Sequence, residues 1–270
     1  MQVLRGEGRR QHRPMAFVTI RNYVGSADPV VRAWATRVES LREITPDDVR
    51  AALRERQGNQ ARSVHVALRS LFQALLLERL VFRDPTRGIC VAAVERLPVP
   101  LPSDRLCGLL DQADGAMARL VVGLVAVHAL RKTELTQLRL ADLDLARGRL
   151  TVHRSAGRHI VYLDQFTHAL AVAWLGERRQ RWPGTSNPYL LVSQQSAVDS
   201  THPPVTVPVI DRCFWPLGVR PSQLRQDRIL DEARHTADPV QLMRVFGLAD
   251  TTAMKYLYTA HPERQSVAPR

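Results

Sequence analysis

Two arginines, a glutamate and two tyrosines are the residues of this chain most able to do chemistry. Arg131 and Glu134 stand three apart in A-L-R-K-T-E-L, after the apolar run that opens at Val121. A guanidinium delivered to the end of a buried helix is costly unless it meets an anion or a carboxylate. Glu134, on the same helical side, is the internal partner. Arg225 stands at the entry of a helix that Pro221 starts, with Asp227 and Asp231 as internal ion-pair partners. Tyr256 and Tyr258 follow in T-A-M-K-Y-L-Y, where amphipathic-helix tyrosines are the plain alternative to a nucleophile.

The order of these segments is more specific than any one of them. An apolar helix, then A-L-R-K-T-E-L, then L-x-L-x-D-L-D-L resembles the first arginine box of the tyrosine recombinases, the phage-integrase family. There the box usually reads G-L-R-x-x-E-L, ahead of a small antiparallel sheet. The resemblance implies attack of a tyrosine hydroxyl on a DNA phosphodiester, leaving a 3′-phosphotyrosyl link and a free 5′-hydroxyl. Two arginines can neutralise the non-bridging oxygens by bidentate hydrogen bonds. A further group protonates the leaving oxygen, and another helps remove the tyrosine proton. On this resemblance Arg131 matches the first arginine and Glu134 its brace. Arg225 matches the second arginine of the H-x-x-R box, and Tyr256 the nucleophile, with Tyr258 in reserve.

Three positions depart from the pattern. The hairpin lysine falls on Arg154, a poor proton donor but a good phosphate clamp. The histidine opening H-x-x-R falls on Ser222, which hydrogen-bonds but is no base near neutral pH. The third-box histidine falls on Leu248. The chain's only lysines, Lys132 and Lys255, lie off the hairpin. General acid–base help is worth roughly 10²–10⁴ in rate. Two functions therefore stand: a site-specific recombinase or integrase, and a catalytically weak or inactive recombinase-fold DNA-binding protein. The second includes a helix-turn-helix-like regulator built on Pro239–Tyr256.

The elements that position these residues make a mainly α (α+β) chain. Formal charge +12 and a pI near 10.8 favour a polyanionic partner, nucleic acid before acidic membrane. No apolar span reaches bilayer length free of charge, and MQVLRGEGRR lacks a signal-peptide core. The chain thus reads as a soluble, cytoplasmic protein with no membrane partner. Cys90, Cys107 and Cys213 lack zinc spacing and read as reduced core residues. His128, His153, His159, His235 and His261 share no metal spacing and read as structural or exposed.

Residues 1–14, with Arg5, Arg9, Arg10 and Arg13, read as a basic disordered tail, with a phosphate-tracking arm as the alternative. Residues 15–95 carry helices expected near Pro29–Leu41, from Thr45-Pro46-Asp48 to an end at Gly58, and over Arg62–Leu80. This module resembles the family's helical core-binding (SAM-like) domain. The short first helix raises the prospect of a truncated domain. Residues 96–103, with Pro98, Pro100 and Pro102, read as an extended linker. Residues 104–270 hold the mostly helical catalytic domain. Its order is a helix capped by Ser103 or Asp104 and running to about Ala113, the arginine box, and a three-stranded antiparallel sheet from Leu143–Leu145 and a hairpin. Further helices carry Arg225 and Tyr256. The resemblance implies double-stranded DNA, contacted also by Arg62, Arg69, Lys132 and Lys255. It further implies a homotetramer on two DNA sites, room for an accessory DNA-bending protein, a nucleoid-associated bacterial setting, and no metal or cofactor.

Overall fold

The structure is a computed structural model that describes residues 3–5, 7, 14–92, 97–102, 106, 108–154 and 157–267. Arg9, Arg10 and Arg13, Cys107, the Ser103/Asp104 cap and the Ser155–Ala156 turn lie outside the described residues. The chain divides into two compact units, Met1–Arg96 and Leu97–Arg270.

The first unit is three helices around one apolar core. Helix α1 spans Phe17–Ala35, α2 Pro46–Arg54 and α3 Gly58–Leu77. Val30 and Trp34 of α1 meet Val64, Leu68 and Phe72 of α3, with Val49 and Leu53 of α2 closing the cluster. The Trp34 and Phe72 rings stand 6.2 Å apart. The Thr45 hydroxyl accepts from the Asp48 N–H, and the Asp48 carboxylate accepts from the Thr45 N–H, a reciprocal cap that starts α2. Hydrogen bonds from Thr45, then from Arg37, hold the Asp48 carboxyl down at about 2.

Three expectations are corrected here. Helix α1 begins twelve residues before Pro29 and runs through it, so it is not short. Pro29 lies on the exposed face, where water can satisfy the carbonyl its missing N–H leaves without a partner. Gly58 opens α3 with φ 56° rather than ending α2, which stops at Arg54. Cys90 is exposed, whereas Cys213 is buried and its thiol is pushed up to about 11 by burial.

The second unit is built around α4, Gly115–Ala126, whose Leu120, Val121, Val122, Leu124 and Val125 are all buried. From Leu120 onward this helix is apolar all round, so that part lies inside the domain, while Arg119 stays exposed. Residues 108–110 form turns rather than the expected capped helix. Helix α5, Lys132–Gln137, leads to β1 (Leu143–Asp144), β2 (Arg149–Arg154) and β3 (Gly157–Tyr162). They form one antiparallel sheet in the order β1-β2-β3, with Leu143 opposite Leu150 and Arg154 opposite Gly157. Then come α6 (Gln165–Arg181), α7 (Gln194–Val198), α8 (Val207–Arg212), α9 (Pro221–His235), α10 (Pro239–Phe246) and α11 (Asp250–Ala260). The main core joins α4, α5, α6 and the sheet. A second, smaller core gathers Ala129, Ile229, Leu230, Ala233, Leu242, Phe246, Leu248, Ala253 and Tyr256.

Arg131 does not end the apolar helix, as the sequence suggested. Helix α4 stops at Ala126, and Arg131 is the N-cap of α5. The turn between them passes through Ala129, fully buried with φ 52°, where the family box usually has glycine. The left-handed region costs a non-glycine residue roughly 1–2 kcal/mol. Glycine would relieve that, but losing a buried methyl costs about 0.8 kcal/mol and the freer unfolded chain about 0.5–1 kcal/mol. Ala129→Gly is therefore expected to change stability by less than about 1 kcal/mol, the terms nearly cancelling. Ala129→Val adds a β-branched side chain to the same strained, filled position and is expected to cost about 2 kcal/mol or more. Urea midpoints of the two variants at unchanged slope check both.

Candidate active site

Glu134 organises the site. It lies in the first turn of α5, 7% exposed, and has taken up both its carboxylate oxygens. Oε2 accepts from the Arg131 backbone N–H at 2.8 Å, capping α5. Oε1 accepts from Arg154 Nε at 2.7 Å, and Oε2 from Arg154 Nη2 at 3.4 Å. The Arg131 side chain comes only to 3.9 Å from Oε1 and is 52% exposed. The expected partner of Arg131 is thus held mainly by another arginine, which leaves the Arg131 guanidinium open to an external anion.

Arg154 is neither a solvated hairpin charge nor open to a phosphate in this arrangement. Its side chain is 11% exposed, and besides Glu134 it donates from Nη1 to the Phe246 and Gly247 carbonyls at 2.9 and 3.1 Å. Beside it, His159 Nε2 donates to the Val245 carbonyl at 3.2 Å. Burial, then the Arg154 charge, pushes the His159 imidazole down, so it is neutral near neutral pH with its hydrogen on Nε2. His159 was read from sequence only as a structural or exposed histidine.

Arg225 is one turn into α9. Its Nε donates to the Ala129 carbonyl at 2.7 Å, so the left-handed turn aims an acceptor at the second arginine. The aspartates proposed as its partners are engaged elsewhere: Asp227 accepts from the Leu101 N–H, and Asp231 pairs with Arg228. Arg225 Nη2 is buried with no hydrogen-bond partner. An unsatisfied guanidinium nitrogen in a native site calls for a missing acceptor. Burial pushes the Arg225 group down, and the neighbouring Tyr256 opposes that while Arg131 adds to it.

Tyr256, 5% exposed on α11, has its phenol raised by burial, with Arg225 and then Arg131 pulling it back. The structure therefore brings Arg131, Arg225 and Tyr256 into one electrostatic neighbourhood. Tyr258 is half-buried two residues further round the helix. Ser222 is exposed in the first turn of α9, beside a cleft that Lys132 and Asp211 also line. Lys132 is held by Asp211 at 2.8 and 3.0 Å rather than standing ready for DNA. Leu248 is 5% exposed in the small core, so the third-box position faces inward. Arg62 and Arg69 are both exposed on α3, and Lys255 is half-buried on α11.

The Ala129 carbonyl and His159 were missed in sequence. The alanine in the place of the box glycine marked the first. Nothing local marked the second, whose partner is 86 residues away.

Residues 10–79 match the phage integrase, N-terminal SAM-like domain. A tyrosine recombinase XerC from Pseudomonas fluorescens is 35% identical over 133 residues, 46% of this chain and 43% of that protein. The chain thus aligns with less than half the length of that relative. The fold is that of an XerH site-specific recombinase bound to a palindromic difH substrate in a post-cleavage complex. That similarity has TM-score 0.70 and 17% identity, over 93% of this chain and 79% of that one. A lambda integrase tetramer bound to a Holliday junction gives TM-score 0.63 and 16% identity, over 90% of this chain and 72% of that one. With its SAM-like helical unit, the small sheet behind the arginine box and the fold it shares with these recombinases, the chain is similar to the tyrosine recombinases of the phage integrase family.

Proposed function

We infer that the chain is a site-specific DNA recombinase or integrase that cuts and rejoins DNA through a 3′-phosphotyrosyl intermediate. Tyr256 Oη gives up its proton to water and bonds to phosphorus, the bond to the 5′ oxygen breaks, and that oxygen takes a proton from water and leaves as a hydroxyl, so the two proton transfers cancel. Arg131 and Arg225 hold the non-bridging oxygens, whose charge grows in the transition state. The observation that carries this reading is the orphaned, buried Arg225 Nη2 in an electrostatic neighbourhood shared with buried Tyr256 and exposed Arg131. A phosphate oxygen is the acceptor it lacks.

On this reading residues 1–14 are a basic tail, 15–95 the core-binding domain, 96–103 the linker and 104–270 the catalytic domain. Arg62 and Arg69, exposed two turns apart on α3, supply phosphate contacts that position rather than specify. The protein works in the cytoplasm on the nucleoid, as a homotetramer on two sites. The reading calls on no metal or cofactor.

The test is a nicked duplex from DNA flanking the gene, which traps cleavage. A denaturant-resistant adduct whose peptide map places DNA on residues 250–260 is the expected result. Arg225→Gln keeps a hydrogen-bonding side chain but loses the charge, and is expected to slow adduct formation by about 10²–10³. The second reading, a DNA-binding protein without strand transfer, is favoured by the buried Leu248 and the engaged Arg154. Duplex retained before denaturation with no adduct would establish it.

A further inference from the structure

The β2–β3 hairpin grips the end of α10 by its backbone. Three successive carbonyls, Val245, Phe246 and Gly247, accept from His159 Nε2 and Arg154 Nη1. These are the acceptors a helix C-terminus leaves unpaired, at the negative end of its dipole. The Arg154 charge there is returned to Glu134 on the other side of the guanidinium. Gly247, at φ 56°, makes the approach possible: a Cβ there would overlap Arg154 Nη1 and press on the His159 ring. Three residues later the chain starts α11, which carries Tyr256.

We propose that Arg154 and His159 are positioning residues for the nucleophile. One guanidinium and one imidazole cap α10 from the hairpin and tie the α10–α11 turn to Glu134. Glu134 in turn caps the helix that begins beside Arg131, so the tyrosine helix and the arginine box are held in one register. Arg154 stands where the family has a proton-donating lysine, yet four of its five N–H hydrogens are directed at two carbonyls and a carboxylate. It acts on Tyr256 through the backbone and does not protonate the leaving oxygen. This proposal rests on the strand-cutting reading above.

A proton donor and a positioning residue separate by leaving group. A 5′-bridging sulfur leaves as thiolate without a proton, because a thiol ionises near pH 8.5. Arg154→Gln and wild type are compared on nicked duplexes with oxygen or sulfur at the scissile bridge. The expected result is a loss of adduct rate of about 10²-fold on both substrates, as misplacement of a nucleophile gives. A loss confined to the oxygen substrate and restored by sulfur would make Arg154 the donor and overturn the proposal. Amide hydrogen exchange supplies the second arm. Residues 250–260 should exchange at least tenfold faster in Arg154→Gln, with α4 protection unchanged; unchanged protection of α11 would also overturn it. If Arg154→Gln does not fold, His159→Ala removes one carbonyl contact and leaves the Glu134 pair, and the same two measurements apply with smaller changes. No adduct from wild type on either substrate would sink the strand-cutting reading, while the exchange measurement would still decide whether the hairpin holds the tyrosine helix.

Discussion

Tyr256→Phe is expected to remove the covalent DNA adduct entirely while leaving the fold and DNA retention intact. The ring is 5% exposed within the small core beside Ile229, Phe246 and Leu248, and phenylalanine keeps that ring in place. What disappears is one oxygen, and with it the only atom in the Arg131–Arg225 neighbourhood proposed to bond phosphorus. Ser222, the other hydroxyl read from the sequence as a site residue, is exposed in the first turn of α9. Tyr258, two positions on, faces a different side of α11, so Tyr258→Phe should cut like wild type. The measurement is adduct surviving denaturant, alongside a thermal melt and retention of duplex before denaturation. An adduct that persists in Tyr256→Phe and vanishes in Tyr258→Phe would transfer the nucleophile to Tyr258.

The second large effect falls on stability. Glu134→Ala is expected to destabilise the C-terminal unit by about 3–5 kcal/mol, the cost of leaving a buried charge without its partner. Glu134 is the carboxylate that meets Arg154, at 2.7 Å with side chains 6% and 11% exposed, so water cannot readily replace it. The same substitution removes the acceptor for the Arg131 N–H that begins α5. By contrast Lys132→Ala breaks a pair about one third exposed on each side, where solvent screens the charges, and should cost under about 1 kcal/mol. Urea unfolding of both variants gives the comparison. Equal losses would mean that Arg154 finds other partners when Glu134 is gone.

The sequence carried what local chemistry dictates. Thr45, Pro46 and Asp48 announce the start of α2, and the β-rich runs around Gly157 announce the hairpin, because caps and alternation act within a few residues. Arg225 and Tyr256 were singled out by the order of their segments, and the structure sets both in one electrostatic neighbourhood. Partners were not legible where they are remote. Arg154 meets Glu134 20 residues back and Phe246 92 residues on, and no periodicity encodes such separations. The break between α4 and α5 was hidden because alanine there reads as a helix former, whereas the backbone turns left-handed at φ 52°. Pro29 misled in the opposite direction, since a proline on an exposed helical face interrupts one hydrogen bond and not the helix.

The grip on α10 is made to carbonyl oxygens, which every residue type possesses, and this governs what mutation can do there over time. The exposed Val245 side chain can drift without disturbing the His159 contact, while Phe246 is held by the small core and not by its carbonyl's contact with Arg154. Position 247 has no such latitude, because any side chain occupies the volume of the Arg154 guanidinium. A lineage that replaces Arg154 with a smaller residue would release Gly247 from that steric demand, though its left-handed backbone would persist. The two positions, far apart in the chain, should therefore change in a fixed order: the hairpin residue first, the glycine afterwards.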